Sequence, residues 1–434
     1  MRLLSQRKVA GSGLLVAAIL MVGLLAQPAR AQAPGWSALA GPRFPAAEHA
    51  VVWQLAADPG QPSVILAATS KGVFRSSDSG QTWSATSITT WTWTVAFSSG
   101  GAAVYAGTGK AGVYRSTDAG VSWSKDDAGL NNQDVRAIAV APNAVVLGTN
   151  SGVYLGGTGV GWEPAGLQGT SISSVAVTVD SPLGVLAGSD STVATSNLFV
   201  NLAVGQATSW QAVAGADPQG SPVFAIGAGP LARGAAHPPI LVGNLKGLFL
   251  STNGGAAWRQ VNLSQGALWS VNAIAFDPEN PAVVYVGGDN GGSSGGGLQR
   301  STNGGSSWQV WQAGLPAADV TGLQVEPTSP LTVLAALWNG ATREPATAKL
   351  VDTSAPGPTP LQAVGATSPI PISPPPTVAP TPSPRPSSGH GRRGGFSMPL
   401  WGPPLLAAFL VILVVGIFMG LRRRRDRLDA EAPP

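Results

Sequence analysis

The chain has 434 residues with 25 basic and 21 acidic side chains, for a formal charge of +4. Twelve of the 25 basic residues lie near the two ends, so residues 32–354 keep 13 basic against 18 acidic side chains, a net of −5. An acidic central region excludes nucleic acid as a partner, and the absence of cysteine excludes disulfides, thiolate metal sites and a Cys nucleophile.

Histidine adds nothing to the metal case. His49, His237 and His390 are scattered, so a His-based zinc centre is not expected, and no cofactor is implied. At the N-terminus, Arg2, Arg7 and Lys8 precede an apolar run from Val9 to Ala26, and Ala29-Arg30-Ala31 supplies small residues before Gln32. That pattern predicts a secretory signal peptide over residues 1–31.

A short strand, Gly35–Leu39, carries Trp36. Then one phrase begins to recur. Ser76-Ser77-Asp78-Ser79-Gly80-Gln81-Thr82-Trp83 is followed by Ser116-Thr117-Asp118-Ala119-Gly120-Val121-Ser122-Trp123. Later copies run from Ser251 through Asn253 and Gly255 to Trp258, and from Ser301 through Asn303 and Gly305 to Trp308. Degenerate copies end at Trp162 and Trp210. From Trp36 to Trp308 the seven tryptophans are 47, 40, 39, 48, 48 and 50 residues apart, the length of a four-stranded propeller blade.

The phrase is hairpin chemistry. Asp or Asn folds its side-chain oxygen back onto backbone N–H groups, and Gly takes the positive φ of the reversal. Asp78, Gly80, Trp83, Asp118, Gly120, Trp123, Asn253, Gly255, Trp258, Asn303, Gly305 and Trp308 are therefore read as scaffold.

Each repeat opens on an inner strand. These begin near Val51, Thr92, Val135, Ile172, Val223, Val271 and Val320, each followed by a nearly continuous apolar second strand such as Val64–Ala68 or Val283–Gly287. Such runs suit strands buried on both faces between neighbouring blades. The seventh repeat stops after Val351 without a tryptophan of its own. Gly35–Leu39 is expected to supply its missing strand and so remove an exposed sheet edge. The expectation is an all-β, seven-bladed propeller of four-stranded antiparallel blades over residues 32–354. The eroded fourth and seventh repeats leave six or eight blades as the other counts.

Residues 355–398 are rich in proline and read as a disordered stalk, able to span about 130 Å as polyproline II. Residues 399–421 form an uncharged apolar run long enough for a transmembrane helix, and Arg422 to Arg425 open a basic cytoplasmic tail, 422–434. Together these predict a single-pass type I protein of the plasma membrane, with the propeller extracytoplasmic. A removable sorting tail is the competing reading of the same C-terminal pattern.

The octapeptides resemble the Asp-box, or BNR, repeat of sialidase-like propellers. Over roughly residues 35–351 the repeats are also similar to those of single-propeller photosystem II assembly factors. In sialidases the box lies on the outer rim, and the first resemblance implies catalysis by an arginine triad, a Tyr–Glu nucleophile pair and an Asp acid/base. Pro42-Arg43-Phe44-Pro45 is a loose echo of the first arginine motif, while Arg136, Arg233, Arg259 and Arg343 remain for a triad. All four tyrosines occupy repeat positions shared with apolar residues, which argues against a Tyr nucleophile.

A ligand is expected at the mouth, where the inner strands begin. Aligned there, they give one variable column: Trp53, Trp93, Arg136, Ser173, Phe224, Asn272 and Thr321, with Trp91 and Trp269 just before it in approaching loops. Trp53, Trp91, Trp93, Arg136, Trp269 and Asn272 together can stack a sugar ring or grip an extended peptide. The same tryptophans can instead fill gaps between blades, and Arg136 with nearby Asp134 can be a solvated ion pair. Glycoside hydrolysis needs two facing carboxyl groups, and Glu48, Asp134 and Asp319 are the candidates by elimination. The sequence thus favours a non-catalytic module binding an extracytoplasmic protein or glycan. A glycoside hydrolase and a membrane-complex assembly scaffold are the alternatives.

Overall fold

The computed structural model describes residues 35–362, apart from 46–47, 143, 158–160, 179–183, 192–195, 202–208, 214–220, 265–269, 290–296 and 341. The expected signal peptide, transmembrane helix and cytoplasmic tail, and most of the stalk, lie outside the described residues. Among the described residues, no helix is long and apolar enough to cross a membrane.

Seven four-stranded antiparallel sheets follow one another along the chain. Each runs from an inner strand to an outer one. The first blade comprises β2 (Val52–Asp58), β3 (Gln61–Thr69), β4 (Gly72–Ser76) and β5 (Ser84–Ala85). The second comprises β6 (Thr92–Phe97), β7 (Val104–Thr108), β8 (Val113–Ser116) and β9 (Ser124–Lys125). The third has β10 (Val135–Ala141), β11 (Ala144–Thr149), β12 (Gly152–Gly157) and β13 (Gly161–Gly166). The fourth has β14 (Ile172–Thr178), β15 (Gly184–Ser189), β16 (Leu198–Asn201) and β17 (Gln211–Ala212).

β18 (Val223–Ala228), β19 (Ile240–Asn244), β20 (Gly247–Ser251) and β21 (Arg259–Val261) make the fifth blade. The sixth contains β22 (Ser270–Asp277), β23 (Asn280–Asp289), β24 (Gly297–Ser301) and β25 (Gln309–Val310). In the seventh, β26 (Asp319–Glu326), β27 (Leu331–Asn339) and β28 (Glu344–Asp352) are joined by β1 (Ser37–Leu39). β1 pairs with β28 through Ser37↔Lys349, Ala38↔Ala348 and Leu39↔Thr347. The N-terminal strand therefore closes the ring and supplies the strand that the seventh repeat lacks, as the sequence implied.

The core lies between blades. Leu66 and Val73 of the first blade pack with Val95 and Val104 of the second, and Leu55 and Ile65 pack with Leu334 of the seventh. Small residues permit that approach. A Cβ on Gly243 would meet the Val271 carbonyl oxygen at 2.6 Å, and one on Gly287 would meet Val320 Cγ1 at 2.5 Å. Either side chain would force neighbouring blades apart.

The four hairpin turns share one hydrogen-bond set. Ser76 Oγ donates to Asp78 Oδ1 at 2.8 Å and accepts from Gly80 N at 2.9 Å, while Thr82 N donates to Asp78 Oδ1 at 2.8 Å. Hydrogen bonds from Thr82 hold the Asp78 carboxyl down at a pKa of about 2, and Ser122 does the same for Asp118. Asn253 and Asn303 accept the equivalent backbone bonds from Ala257 and Ser307, each 2.8 Å. These oxygens are thus engaged in their own turns.

The tryptophans divide by what their N–H finds. Trp83, Trp123, Trp258 and Trp308 donate to the carbonyl of the glycine in their own turn. Outside those turns, Trp36 donates to the Trp311 carbonyl, Trp162 to Asp126 and Trp210 to Ala165, each acceptor lying in or just after the preceding blade. Where the turn phrase is lost, the indole ties one blade to the last.

After β28 the chain departs from the expected stalk. Arg300 Nε lies 3.1 Å from Asp352 Oδ2, both side chains are nearly fully buried, and Tyr285 donates its hydroxyl to the same carboxylate. Arg300 also bonds Ser354, and its guanidinium lies 4.7 Å from the Trp311 ring centre. Beyond this lock, Asn280 Nδ2 donates to the Gly357 carbonyl, Thr359 N to Glu279, and Gln362 N to Leu231. Residues 355–362 therefore form a strap across the sixth and fifth blades. Backbone bonding to two successive blades overrides the proline-rich composition there.

Candidate functional site

The variable column converges on one central cavity of about 260 Å³, lined by Trp53, Trp93, Arg136, Ser173, Phe224, Asn272 and Thr321. In every inner strand the pairing register shifts at the column residue. Val52 pairs with Thr69 and Gln54 with Ala68, which leaves Trp53 as the extra residue, and the same skip isolates the other six. A bulge residue escapes the two-residue alternation and can be aimed away from the flanking blades. The bulge is what turns one side chain per blade into the channel.

Most of the column also holds the ring together. Trp93 Nε1 donates to Asp134 Oδ1 at 2.9 Å, reaching from the second blade to the third. Arg136 Nη1 reaches the fourth, bonding Asp190 Oδ2 at 2.6 Å and Ser171 Oγ at 2.8 Å. Ser173 Oγ donates to the Val223 carbonyl of the fifth blade, and Thr321 Oγ1 to the Val52 carbonyl of the first. The use of these residues between blades is therefore real. Asn272 and Phe224 line the cavity wall.

The mouth of the first two blades is aromatic. Trp53 and Trp91 stack with ring centres 5.7 Å apart and planes 20° apart, while Trp93 lies 5.2 Å from Trp53 and 4.9 Å from Trp91. Trp91 remains 42% exposed. Gly109 permits this arrangement, since a Cβ there would sit 3.3 Å from Trp93 Nε1 and 3.7 Å from Trp91 Cδ1. Trp269 lies outside the described residues.

Beside the indoles sits a group of charges. The Arg136 guanidinium lies 5.3 Å from the Trp93 ring centre, within cation–π range. Burial raises the Asp134 carboxyl above the usual carboxylate range; Arg136, the Trp93 N–H and Lys110 pull it down, and Asp190 pushes it up. Arg136 pairs with Asp190 and not with Asp134, contrary to the sequence expectation. The bulge directs Arg136 toward the fourth blade, and Asp134 is already engaged by Trp93. Asp190 and Ser171 escaped sequence reading because they are 54 and 35 positions beyond Arg136. A polar residue in the turn after a second strand was the available signal.

The remaining candidates do not join this group. Glu48 forms an exposed ion pair with Lys71 at 3.1 Å. Asp319 opens β26 opposite Trp338. Of the arginines considered for a triad, Arg233 lies with the strap, where its N–H bonds the Pro360 carbonyl, and Arg259 lies on outer strand β21. Arg343 occupies the turn between β27 and β28. Tyr105, Tyr154 and Tyr285 are buried in blade cores. Among the described residues, no group of three or more His, Cys, Asp or Glu side chains is placed to hold a metal.

No family model and no curated protein matches the sequence. Solved structures do match the fold. A GH74 enzyme of Niastella koreensis superposes with a TM-score of 0.55 at 17% identity, covering 75% of this chain and 55% of that one. YCF48 bound to a D1 peptide gives 0.51 at 16% identity, covering 74% and 97%. The extracellular domain of BT4673 from B. thetaiotaomicron gives 0.51 at 14% identity, covering 73% and 39%. The chain thus spans only about half of the GH74 enzyme. At these identities the likeness is one of fold.

Proposed function

We propose that the propeller is a non-catalytic binding module that takes an extracytoplasmic protein or glycan at its aromatic mouth. The observation that carries this reading is the Trp53–Trp91–Trp93 cluster, whose outermost ring is left partly in solvent beside Asp134, Arg136 and Asp190. An aromatic residue braced from behind presents contact area at little entropic cost. The signal-like N-terminus and the apolar run 399–421 support presentation outside the cell on a membrane anchor. Fold neighbours described as peptide-bound or extracellular are consistent with that role.

Trp91 is the residue to test, because Trp93 also supports Asp134. In pull-downs of surface proteins and glycans, Trp91→Ala is expected to lose capture while keeping the wild-type melting temperature. Trp93→Ala is expected to lose both. Unchanged capture by Trp91→Ala would exclude the mouth.

One observation favours a second reading, glycoside hydrolysis. Asp134, raised by burial, lies within electrostatic reach of a second carboxyl group, Asp190, which is held by Arg136, and glycoside hydrolysis needs two carboxyl groups at one site. Release of a sugar from aryl glycosides by wild type, abolished in Asp134→Asn, would establish it.

A further inference from the structure

Resting on the mouth reading, we propose that Trp91 is the stacking platform for one pyranose ring of a neutral saccharide. Three features of the mouth select that ligand: the size of the apolar face, what lies beside it, and the balance of charge.

The apolar face is a single ring wide. Trp53 lies stacked against Trp91, and Trp93 is tilted against both and carries the Arg136 guanidinium. The other large apolar side chains exposed among the described residues are Val121, Leu245, Val310 and Val351, each on a different hairpin or strand. Among the described residues, no other strongly exposed large apolar side chain therefore forms a collar around Trp91. A peptide anchor draws its strength from such a collar, which keeps water from the contact. A pyranose needs only one flat surface for its C–H face.

Polar and charged groups gather instead beside Trp93, the ring tilted against Trp91. Lys110 follows Gly109, whose N–H bonds the Trp91 carbonyl, and it acts electrostatically on Asp134. Arg136, Asp190 and Ser171 are locked to one another at 2.6 and 2.8 Å. Acceptors and donors thus lie on the same rim, held in place before a ligand arrives. Hydroxyl groups, which donate and accept at once, suit a mixed rim of this kind.

Charge separates neutral from acidic sugars. The two cations, Lys110 and Arg136, face the two carboxyl groups of Asp134 and Asp190. With equal numbers of each among the described residues, this group offers no surplus positive charge to a uronate or sialate carboxylate. An Arg clamp for a carboxylate would need a free guanidinium fork, but Arg136 already spends Nη1 on Asp190.

The test is a printed array of neutral glucans, mannans and galactans, uronate- and sialate-terminated glycans, and random peptides, probed with the full-length protein. Wild type is expected to retain neutral saccharides. Trp91→Ala is expected to weaken that retention by about ten-fold or more, the scale of one lost aromatic contact. Trp91→Phe, which keeps a ring, is expected to fall between them. No retention of neutral saccharides by wild type would overturn the proposal. Capture of only acidic glycans or peptides, still lost in Trp91→Ala, would overturn the saccharide and leave the mouth standing. Capture of any ligand that both variants leave unchanged would overturn the platform and the mouth together.

Discussion

Asp78 and Asp118 show how a single carboxylate can be structural and still leave a pH signature. Each accepts hydrogen bonds from the hydroxyl and backbone of the residue four positions on, which lowers its pKa to about 2. An unfolded Asp titrates near 3.9, so the folded state binds fewer protons between those values. Their stabilisation is thus complete above pH ~4 and lost as pH falls toward ~2. Asn253 and Asn303 make the same turn without a titrating group. The double variant Asp78→Asn, Asp118→Asn is therefore expected to fold normally and to show a shallower fall in Tm between pH 4 and pH 2. An unchanged acid profile would mean that the carboxylate bonds carry no net stability. Both carboxyl groups lie at the surface, so the effect is small and weakens further with added salt.

At the level of elements, the decisive piece is β1. It contributes three residues to the seventh blade, yet it joins the two ends of the described ring. Trp36 anchors it: the indole is 5% exposed, packs with Val320 and Leu337, and donates to the Trp311 carbonyl at 2.8 Å. Trp36→Ala is expected to cost about 3–5 kcal/mol, the range for removing a buried large aromatic side chain. Urea unfolding would read this as a lower midpoint. A cost below about 1 kcal/mol, the level of many surface substitutions, would mean that the ring holds without its N-terminal fastening. Arg300, Asp352 and Ser354 fasten the other end on the strap side, so the seventh blade is secured along both its outer strand and its exit.

Over the whole molecule, periodicity decided what was legible. The turn phrase and the apolar second strands recur in every clear blade, so blade number, inner strands and ring closure could be read from Trp36, Val64–Ala68 and their counterparts. The column of rim residues was legible too, because it is the one position that varies where its neighbours repeat. What it does was less so. That Trp93 meets Asp134, and Arg136 meets Asp190, depends on side chains crossing from one blade to the next. Such contacts leave no local spacing in the sequence. The strap was hidden for another reason: Pro356 to Gln362 have a linker's composition, and only their bonds to Glu279, Asn280, Leu231 and Arg233 distinguish them. That strap runs over the hairpin turns at the far ends of the inner strands, leaving the Trp91 end uncovered by it.

The most direct measurement is oxidative footprinting of the full-length protein, read tryptophan by tryptophan with and without captured ligand. Trp91 should be modified early in the free protein and become protected on binding, while Trp83 and Trp123 on the periphery should stay unchanged. Protection at those peripheral tryptophans with Trp91 still reactive would contradict the mouth as the place where this propeller meets its ligand.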